Sequence, residues 1–398
     1  MYINEDSNNR EVYTMDFRLT EEQIAWRDKA AAFADEFVVP VAAENDKKAL
    51  FTHENVKRMA ELGFLGLPFP KEYGGQDTDY VSYALVVEEI AKRDASTAII
   101  VSANNSLVGG PIYMFGTEEQ KKKWLPDLMT GKKVGAFCLT EPDAGTDASR
   151  QLATAVDKGD YYELNAHKKF ITNGGIAGTY LVFAMTDKSK GNLGISAFIV
   201  DAESEGVSTG KLEQKMGIRS SQTAEMHFDN VKVPKDCLLG KEGQGFEIAM
   251  KTLDGGRIGV GAQALGIAQG AFDLMVDYML EREQFGVKLG KLDTLRFEVA
   301  RLKMQLDSAR LLVYRAADCK DKGLMYKSEA AMAKLAASEA AVDITRKAIQ
   351  FHGGYGYMAE RPIERMYRDA KITEIYEGTS QVQQMVIASG VFDYRPAK

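Results

Sequence analysis

Across residues 20–130 the apolar positions recur three and four residues apart, which predicts helices. The stretch opens on Thr20-Glu21-Glu22-Gln23, a hydroxyl N-cap followed three residues on by a glutamine able to return the hydrogen bond. Loop signals interrupt it at Gly74-Gly75 and at Gly109-Gly110-Pro111. Over residues 134–246 the pattern shortens to runs of β-branched and aromatic residues punctuated by Gly, Asn and Asp, clearest at 194–200 and 224–233. This predicts a β domain. Residues 251–389 return to long Ala/Leu/Met/Lys/Glu segments, including 330–350, that read as helices long enough to pack as a bundle. The expected organisation is α+β and multidomain: a polar extension (1–15), an N-terminal α domain (16–133), a middle antiparallel β domain (134–248) and a C-terminal α domain (249–398), packed as one unit.

The 398 residues are 45% hydrophobic and 27% charged, ordinary for a globular chain with a large core. A formal net charge of −7 argues against a nucleic-acid partner, which calls for a concentrated basic surface. No uninterrupted apolar run approaches the roughly 20 residues needed to span a bilayer, so no membrane association is expected. The first 16 residues are polar and mildly acidic. They lack the apolar core of a signal peptide and the Arg-rich pattern of a transit sequence, which suggests a cytoplasmic chain. Cys138, Cys237 and Cys319 are scattered, and His53, His167, His227 and His352 lie far apart in sequence. Neither a disulfide nor a metal site is expected from such spacing.

Gly259-Val260-Gly261-Ala262-Gln263-Ala264 fits the GxGxxA dinucleotide pattern but lies inside a helical stretch with no strand before it, so its small residues are assigned to close helix packing. Residues 136–147 are a β-like run opening into a turn crowded with hydroxyls, acids and a glycine. Such a loop can offer N–H groups and Thr hydroxyls to a polar ring edge or a phosphate, or be an ordinary Asx or Ser/Thr turn. Lys169-Phe170-Ile171-Thr172-Asn173-Gly174-Gly175 sets an aromatic beside a hydroxyl, suited to covering a flat heterocycle, or is a strand ending in a glycine turn. Leu253-Asp254-Gly255-Gly256-Arg257 reads as an acid and a guanidinium at a helix start, and Arg282-Glu283-Gln284-Phe285-Gly286 as a cation and an aromatic at a helix end; either could be a surface ion pair. Residues 350–357 form a glycine-rich bend. Ile375-Tyr376-Glu377-Gly378-Thr379-Ser380 places one carboxylate beside a glycine where a helix should stop, on backbone able to approach a ligand. Alone it could be a solvated loop glutamate; with the other segments it is the candidate base.

In this order and spacing the segments resemble the acyl-CoA dehydrogenases over residues 15–390, in particular the short-chain, butyryl-CoA type of anaerobic bacteria that work with an electron-transferring flavoprotein. The resemblance implies an N-terminal helical domain, a middle β domain, a C-terminal four-helix bundle, one FAD per subunit and a homotetramer built as a dimer of dimers. It implies that Phe137, Leu139, Thr140, Thr146, Phe170 and Thr172 line the isoalloxazine ring and its phosphate side. Arg282, Phe285, Gln350, Gly353 and Gly354 would hold the adenosine and pyrophosphate end of the neighbouring subunit's FAD, with Thr379 and Gln381 completing the site. Asp254, Arg257, Thr146 and Gly378 would contact the CoA portion, Tyr376 would pack beside the substrate, and Glu377 matches the catalytic glutamate. Three departures stand out. Phe170 replaces a frequent tryptophan. Asp293 replaces a glutamine that often touches the cofactor, and is excluded from the site. Gly255 stands where other branches carry an alternative glutamate, leaving Glu377 as the base.

The implied chemistry is removal of the substrate α-proton by Glu377 while the β-hydrogen leaves as hydride to the flavin, with the developing oxyanion held by the Glu377 N–H and a ribityl hydroxyl. Burial should raise the Glu377 pKa. Run backwards, the site reduces a 2-enoyl-CoA, and the likeness to the anaerobic enzymes implies an electron-bifurcating complex with the electron-transferring flavoprotein. A bulkier aryl enoyl-CoA of cinnamoyl or caffeoyl type, an acyl-CoA oxidase and a catalytically silent scaffold member stay open as alternatives.

Overall fold

The computed structural model describes residues 18–393; the polar extension assigned to residues 1–15 lies outside them. The N-terminal part is helical: α1 (Glu21–Phe33), α2 (Val39–Lys48), α3 (His53–Glu61), α4 (Tyr80–Ala91), α5 (Ala95–Ser102), α6 (Gly110–Phe115) and α7 (Glu118–Met129). The capping box expected at Thr20 and Gln23 forms, and Thr117 with Gln120 repeats it at the start of α7.

The loop expected at Gly109-Gly110-Pro111 does not form. The chain stays helical from α5 into α6 through a π-helical stretch, Ala103–Gly109. Pro111 directly follows the π-helical stretch, near the end of this continuous helix. The wider turn turns Asn104 and Asn105 inward to bond the carbonyls of Leu65 and Leu128 (both 3.1 Å) and Phe64 (2.9 Å). Taken as one 21-residue helix, Ala95–Phe115 is long and apolar enough to cross a membrane by length and composition, which a count of uninterrupted apolar runs misses because Ser and Asn are interspersed. Its most apolar window is 83% buried inside the protein, the behaviour of a core helix.

The middle part is an eight-stranded sheet: β1 (Gly135–Cys138), β2 (Thr154–Asp157), β3 (Tyr161–Thr172), β4 (Thr179–Met185), β5 (Ile195–Asp201), β6 (Val207–Leu212), β7 (Thr223–Pro234) and β8 (Leu238–Leu239). The order is β6-β7-β3-β2-β4-β5-β8, with β1 beside β4. It is mixed rather than purely antiparallel, because β1 and β2 both run parallel to β4. Register also corrects the view of the histidines as isolated. His167 and His227 pair across β3 and β7, their rings stack at 4.5 Å, and Glu225 lies 3.6 Å from His167. The three offer ligand atoms within 4.8 Å of one another, while Lys169 takes one Glu225 oxygen at 3.2 Å. Strand pairing brings together residues that sequence spacing keeps 60 apart.

The last part contains α8 (Gly245–Glu281), a short hairpin β9 (Glu283–Gln284) and β10 (Val287–Lys288), α9 (Asp293–Asp321), α10 (Lys327–His352), α11 (Pro362–Thr373) and α12 (Ser380–Asp393). The glycines of the GxGxxA stretch lie inside α8, as expected. A methyl added at Gly259 would overlap the hydroxyls of Ser102 and Tyr83, and one at Gly266 the Glu88 carbonyl, so these glycines let α8 touch α4 and α5. The interior divides into two apolar cores. One joins α1, α4 and α5 to α8, α9 and α10; the other joins the sheet to α6, α7 and the first turns of α8.

Candidate active site

Glu377 sits on the six-residue turn between α11 and α12. The turn is closed by Tyr376 N–H to the Ile372 carbonyl (3.1 Å) and Ser380 N–H to the Glu374 carbonyl (3.0 Å). Glu377 itself has φ +53° and Gly378 φ +95°. A left-handed glutamate costs about 1–3 kcal/mol and persists only where its surroundings impose it. Here the imposition is visible: Lys334 on α10 donates to the Gly378 carbonyl, and Gln383 on α12 donates to the same oxygen at 2.7 Å and to the Glu377 carbonyl at 3.4 Å. The backbone N–H of Glu377 makes no hydrogen bond among the described residues.

The carboxylate points at α8. Its Oε2 is buried without a hydrogen-bond partner, and Gly256 gives it room, since a methyl there would overlap that oxygen and press on Leu107 of the π-helical stretch. Desolvation pushes the Glu377 pKa up to about 7 against the opposing pull of Lys334 and Arg257. Burial also brings Lys334 down to about 8, with Glu377 the largest influence holding it up.

Asp254 and Arg257 are not at a helix start. They lie two to three turns inside α8, because the helix begins at Gly245. They bond each other at 2.5 Å, Arg257 is buried, and its Nε has no partner. Tyr376 turns inward and donates its hydroxyl to Gln263 of α8, wedging the turn against the helical core. Of the cations before the turn, Arg368 pairs with Asp46 and Glu364, each at 2.7 Å, and Lys371 with Glu374 at 2.5 Å, while Arg365 donates to the Arg93 carbonyl at 3.0 Å.

The two loop segments of the β domain are joined. Lys169 N–H donates to the Thr140 carbonyl at 2.8 Å, setting Thr140 beside the bulge that carries Phe170. Beneath them the buried ammonium of Lys168 bonds the Leu139 carbonyl (3.1 Å), Glu141 (2.7 Å) and Gln151 (3.2 Å), while Glu141 accepts from the N–H groups of Leu152 (2.5 Å) and Ala153 (3.0 Å). Phe137 packs on Phe183 at 4.9 Å, Leu139 is buried, and Thr146 is exposed on the loop tip. Phe170 is 58% exposed at φ +58°.

Arg282, Phe285, Gln350, Gly353 and Gly354 gather at the other end of the bundle, where Tyr278 of α8 and His352 of α10 stack at 4.3 Å. Phe285 is 94% exposed, and added methyls at Gly353 or Gly354 would meet open space. Lys334, which touches the Glu377 turn, and Gln350 are 16 residues apart on α10, roughly 24 Å along the helix axis. The structure therefore brings Glu377, Gly378, Asp254 and Arg257 into one neighbourhood and leaves the Arg282–Gly354 group away from it. Thr379 and Gln381 line a separate cleft of about 350 Å³ beside α11.

Similarity to known proteins extends over nearly the whole described chain. Residues 20–132, 136–231 and 243–392 match the N-terminal, middle and C-terminal domains of acyl-CoA dehydrogenases. The chain belongs to the acyl-CoA dehydrogenase family. It is 53% identical over 378 residues to a short-chain specific acyl-CoA dehydrogenase of Clostridium acetobutylicum, covering 95% of this chain and all of that one. Butyryl-CoA dehydrogenase of Megasphaera elsdenii superposes with a TM-score of 0.94 at 50% identity, covering 95% of this chain and all of that one. A chain from a structure of the electron transferring flavoprotein of Acidaminococcus fermentans, concerned with flavin-based electron bifurcation, gives 0.94 at 54% identity, covering 95% and 99%.

Some parts of this acyl-CoA dehydrogenase site escape motif reading. Lys334, Gln383 and Lys168 belong to no motif singled out above, and Gly256 was read there only as part of a helix start. Two were legible by periodicity: Lys334 falls on the buried stripe Ala330, Lys334, Ala337, Ala341, and Lys168 on the inward alternation Tyr162, Leu164, Lys168. A charge at a core position is the signal. For Gly256→Ala, the methyl must displace the carboxylate, and turnover is expected to fall about 10²-fold while the cofactor stays bound. Steady-state rates and flavin absorbance measure the two quantities.

Proposed function

We propose that this acyl-CoA dehydrogenase carries out FAD-dependent α,β-dehydrogenation of a short-chain acyl-CoA, or in reverse reduces a 2-enoyl-CoA, exchanging electrons with an electron-transferring flavoprotein. The observation that carries the reading is Glu377: a carboxylate held on strained backbone, one oxygen buried and unpartnered, with an unclaimed N–H on the same residue.

The chain's residues fit FAD. A ring of Phe170 left 58% exposed at a strained bulge suits a flat heterocycle, with Phe137, Leu139, Thr140, Thr146 and Thr172 around it. The bare glycine backbone at Gly353 and Gly354, with Arg282, Gln350 and the exposed Phe285, suits a pyrophosphate and adenosine. This second group stands roughly 24 Å along α10 from the Glu377 turn; family membership assigns it to the FAD of a neighbouring subunit in a homotetramer built as a dimer of dimers. FAD, when bound, supplies a two-electron acceptor for the substrate β-hydrogen and its return path.

Glu377 takes the α-proton on its carboxylate, and its own N–H faces the oxygen on which enolate charge develops. Asp254, Arg257, Thr146 and Gly378 hold the CoA portion, and Thr379 and Gln381, on the cleft beside α11, complete the cofactor end. Tyr376 keeps the turn seated through Gln263, beside the acyl group. The absence of a second carboxylate at Gly255 leaves the proton to Glu377. Likeness to a chain solved with an electron transferring flavoprotein of a bifurcating system supports the same electron partner and an enoyl-CoA reductase direction here. The working location is the cytoplasm.

Anaerobic bleaching of the flavin spectrum by propionyl- through octanoyl- and aryl-propionyl-CoA tests the reading. Bleaching by the C4 thioester first is expected; a flavin-loaded protein that none of them bleaches overturns it. The pKa of Glu377 near 7 adds a sign. Dehydrogenation uses the carboxylate, so its kcat/KM rises as pH passes through about 7. Enoyl reduction uses the carboxylic acid and falls over the same range. Two parallel pH profiles in place of opposed ones would remove Glu377 from the proton transfer.

A further inference from the structure

We propose that Lys334 is a positioning residue for the reaction base: its buried ammonium clamps the Gly378 carbonyl, fixing the turn that carries Glu377, and its charge holds the Glu377 carboxylate ionised. The proposal rests on the reading of Glu377 as the base.

Lys334 is a fully buried lysine in the third turn of α10, a helix otherwise lined on that face by alanines. A buried ammonium is costly unless its charge is answered. No carboxylate oxygen lies within ion-pairing distance of Lys334 among the described residues, and its hydrogen bond goes to the Gly378 carbonyl, next to Glu377 in the chain. The other buried cation near the base, Arg257 on α8, already has Asp254 at 2.5 Å. Lys334 is thus the cation whose charge the fold leaves for Glu377.

The remaining groups facing Glu377 do not substitute for it. Tyr83 on α4 and Tyr376 on the turn are neutral phenols whose pKa values burial drives upward. Gln383 on α12 and Gln263 on α8 carry no charge, and Leu107 is apolar. Glu374 adds negative charge on the Lys334 side. With the ammonium gone, Gln383 still donates to the Gly378 carbonyl at 2.7 Å, so the turn keeps one of its two anchors while the carboxylate loses its largest charge partner.

The test compares Lys334→Met, Lys334→Gln and Lys334→Arg in the FAD-loaded protein, following anaerobic flavin reduction by butyryl-CoA across pH about 5.5 to 9.5. Removing the cation moves the acid limb of kcat/KM upward by about one unit. Lys334→Met and Lys334→Gln then lose about 10-fold on the acid side and converge on the parent enzyme at high pH. Lys334→Arg restores the limb. Gln supplies an N–H donor without charge, so it carries the test if the Met variant does not fold. A loss equal at all pH values, or an unmoved acid limb in the Gln variant, overturns the proposal. If Glu377→Gln retains turnover the base itself has been misassigned; if Glu377→Gln is dead and the acid limb does not move, only the role of Lys334 fails.

Discussion

Replacing Glu377 by glutamine abolishes dehydrogenation, by at least the 10²- to 10⁴-fold that a positioned base contributes, while FAD stays bound and the fold is unharmed. Glutamine has nearly the same shape, so the turn, the Lys334 clamp on Gly378 and the contact with Gly256 can persist. What disappears is the proton acceptor. Stability should not fall, and the sign follows from the direction of the pKa shift. The folded-state value, about 7, lies above the ordinary 4.5, so the native protein binds the extra proton between those values and ionised Glu377 costs stability as pH rises through that window. At pH about 8 the neutral amide is spared that cost, and the urea midpoint of the variant should equal or exceed that of the parent. Flavin absorbance, butyryl-CoA bleaching and a urea titration measure the three parts. Turnover within tenfold of the parent enzyme would mean another group takes the proton.

Lys168→Met should be the most destabilising single change in the β domain, at about 3–5 kcal/mol, because it leaves the carboxylate of Glu141 buried beside apolar atoms with its cation gone. Glu141 keeps two backbone donors, Leu152 and Ala153, which places the loss toward the lower end of that range. The same ammonium bonds the Leu139 carbonyl and underlies the Thr140 loop, so a weakened FAD complex should accompany the loss of stability. Adding Glu141→Gln to Lys168→Met removes the orphaned charge and should recover part of the denaturant midpoint, the signature of a coupled pair. An unchanged midpoint in Lys168→Met would show that the pair contributes nothing net. A lower midpoint with unchanged FAD affinity would separate it from the cofactor loop.

Helix or strand, and the chemistry of single loops, were written locally. The Thr20 and Thr117 capping boxes, the β-branched and aromatic runs at 194–200 and 224–233, and the Glu-Gly-Thr-Ser turn depend on neighbours within a few residues, where backbone hydrogen bonding and side-chain preference act directly. Local signals misled where a distant partner changed the balance. Gly109-Gly110-Pro111 looks like a break, yet the π-helical turn before it is retained because Asn104 and Asn105 find carbonyls on α3–α4 and α7 connections far along the chain. Asp254 looks like a helix-start acid, yet α8 begins nine residues earlier and pairs it, half-buried, with the buried Arg257.

The sequence by itself determined the order of helical and β segments, the family and the candidate base. Tertiary structure alone decided how they combine. It split the N-terminal helices between two cores, brought His167 against His227, and set Lys334, Gly256 and Arg257 around one carboxylate drawn from the far end of the chain. The physical reason is range. Propensity, capping and alternation are fixed within a turn or two of chain, whereas burial and a buried charge's pKa depend on whatever surfaces meet in space. At Glu377 those surfaces come from α8, α10 and α12, and only their packing turns an ordinary glutamate into one that titrates near 7.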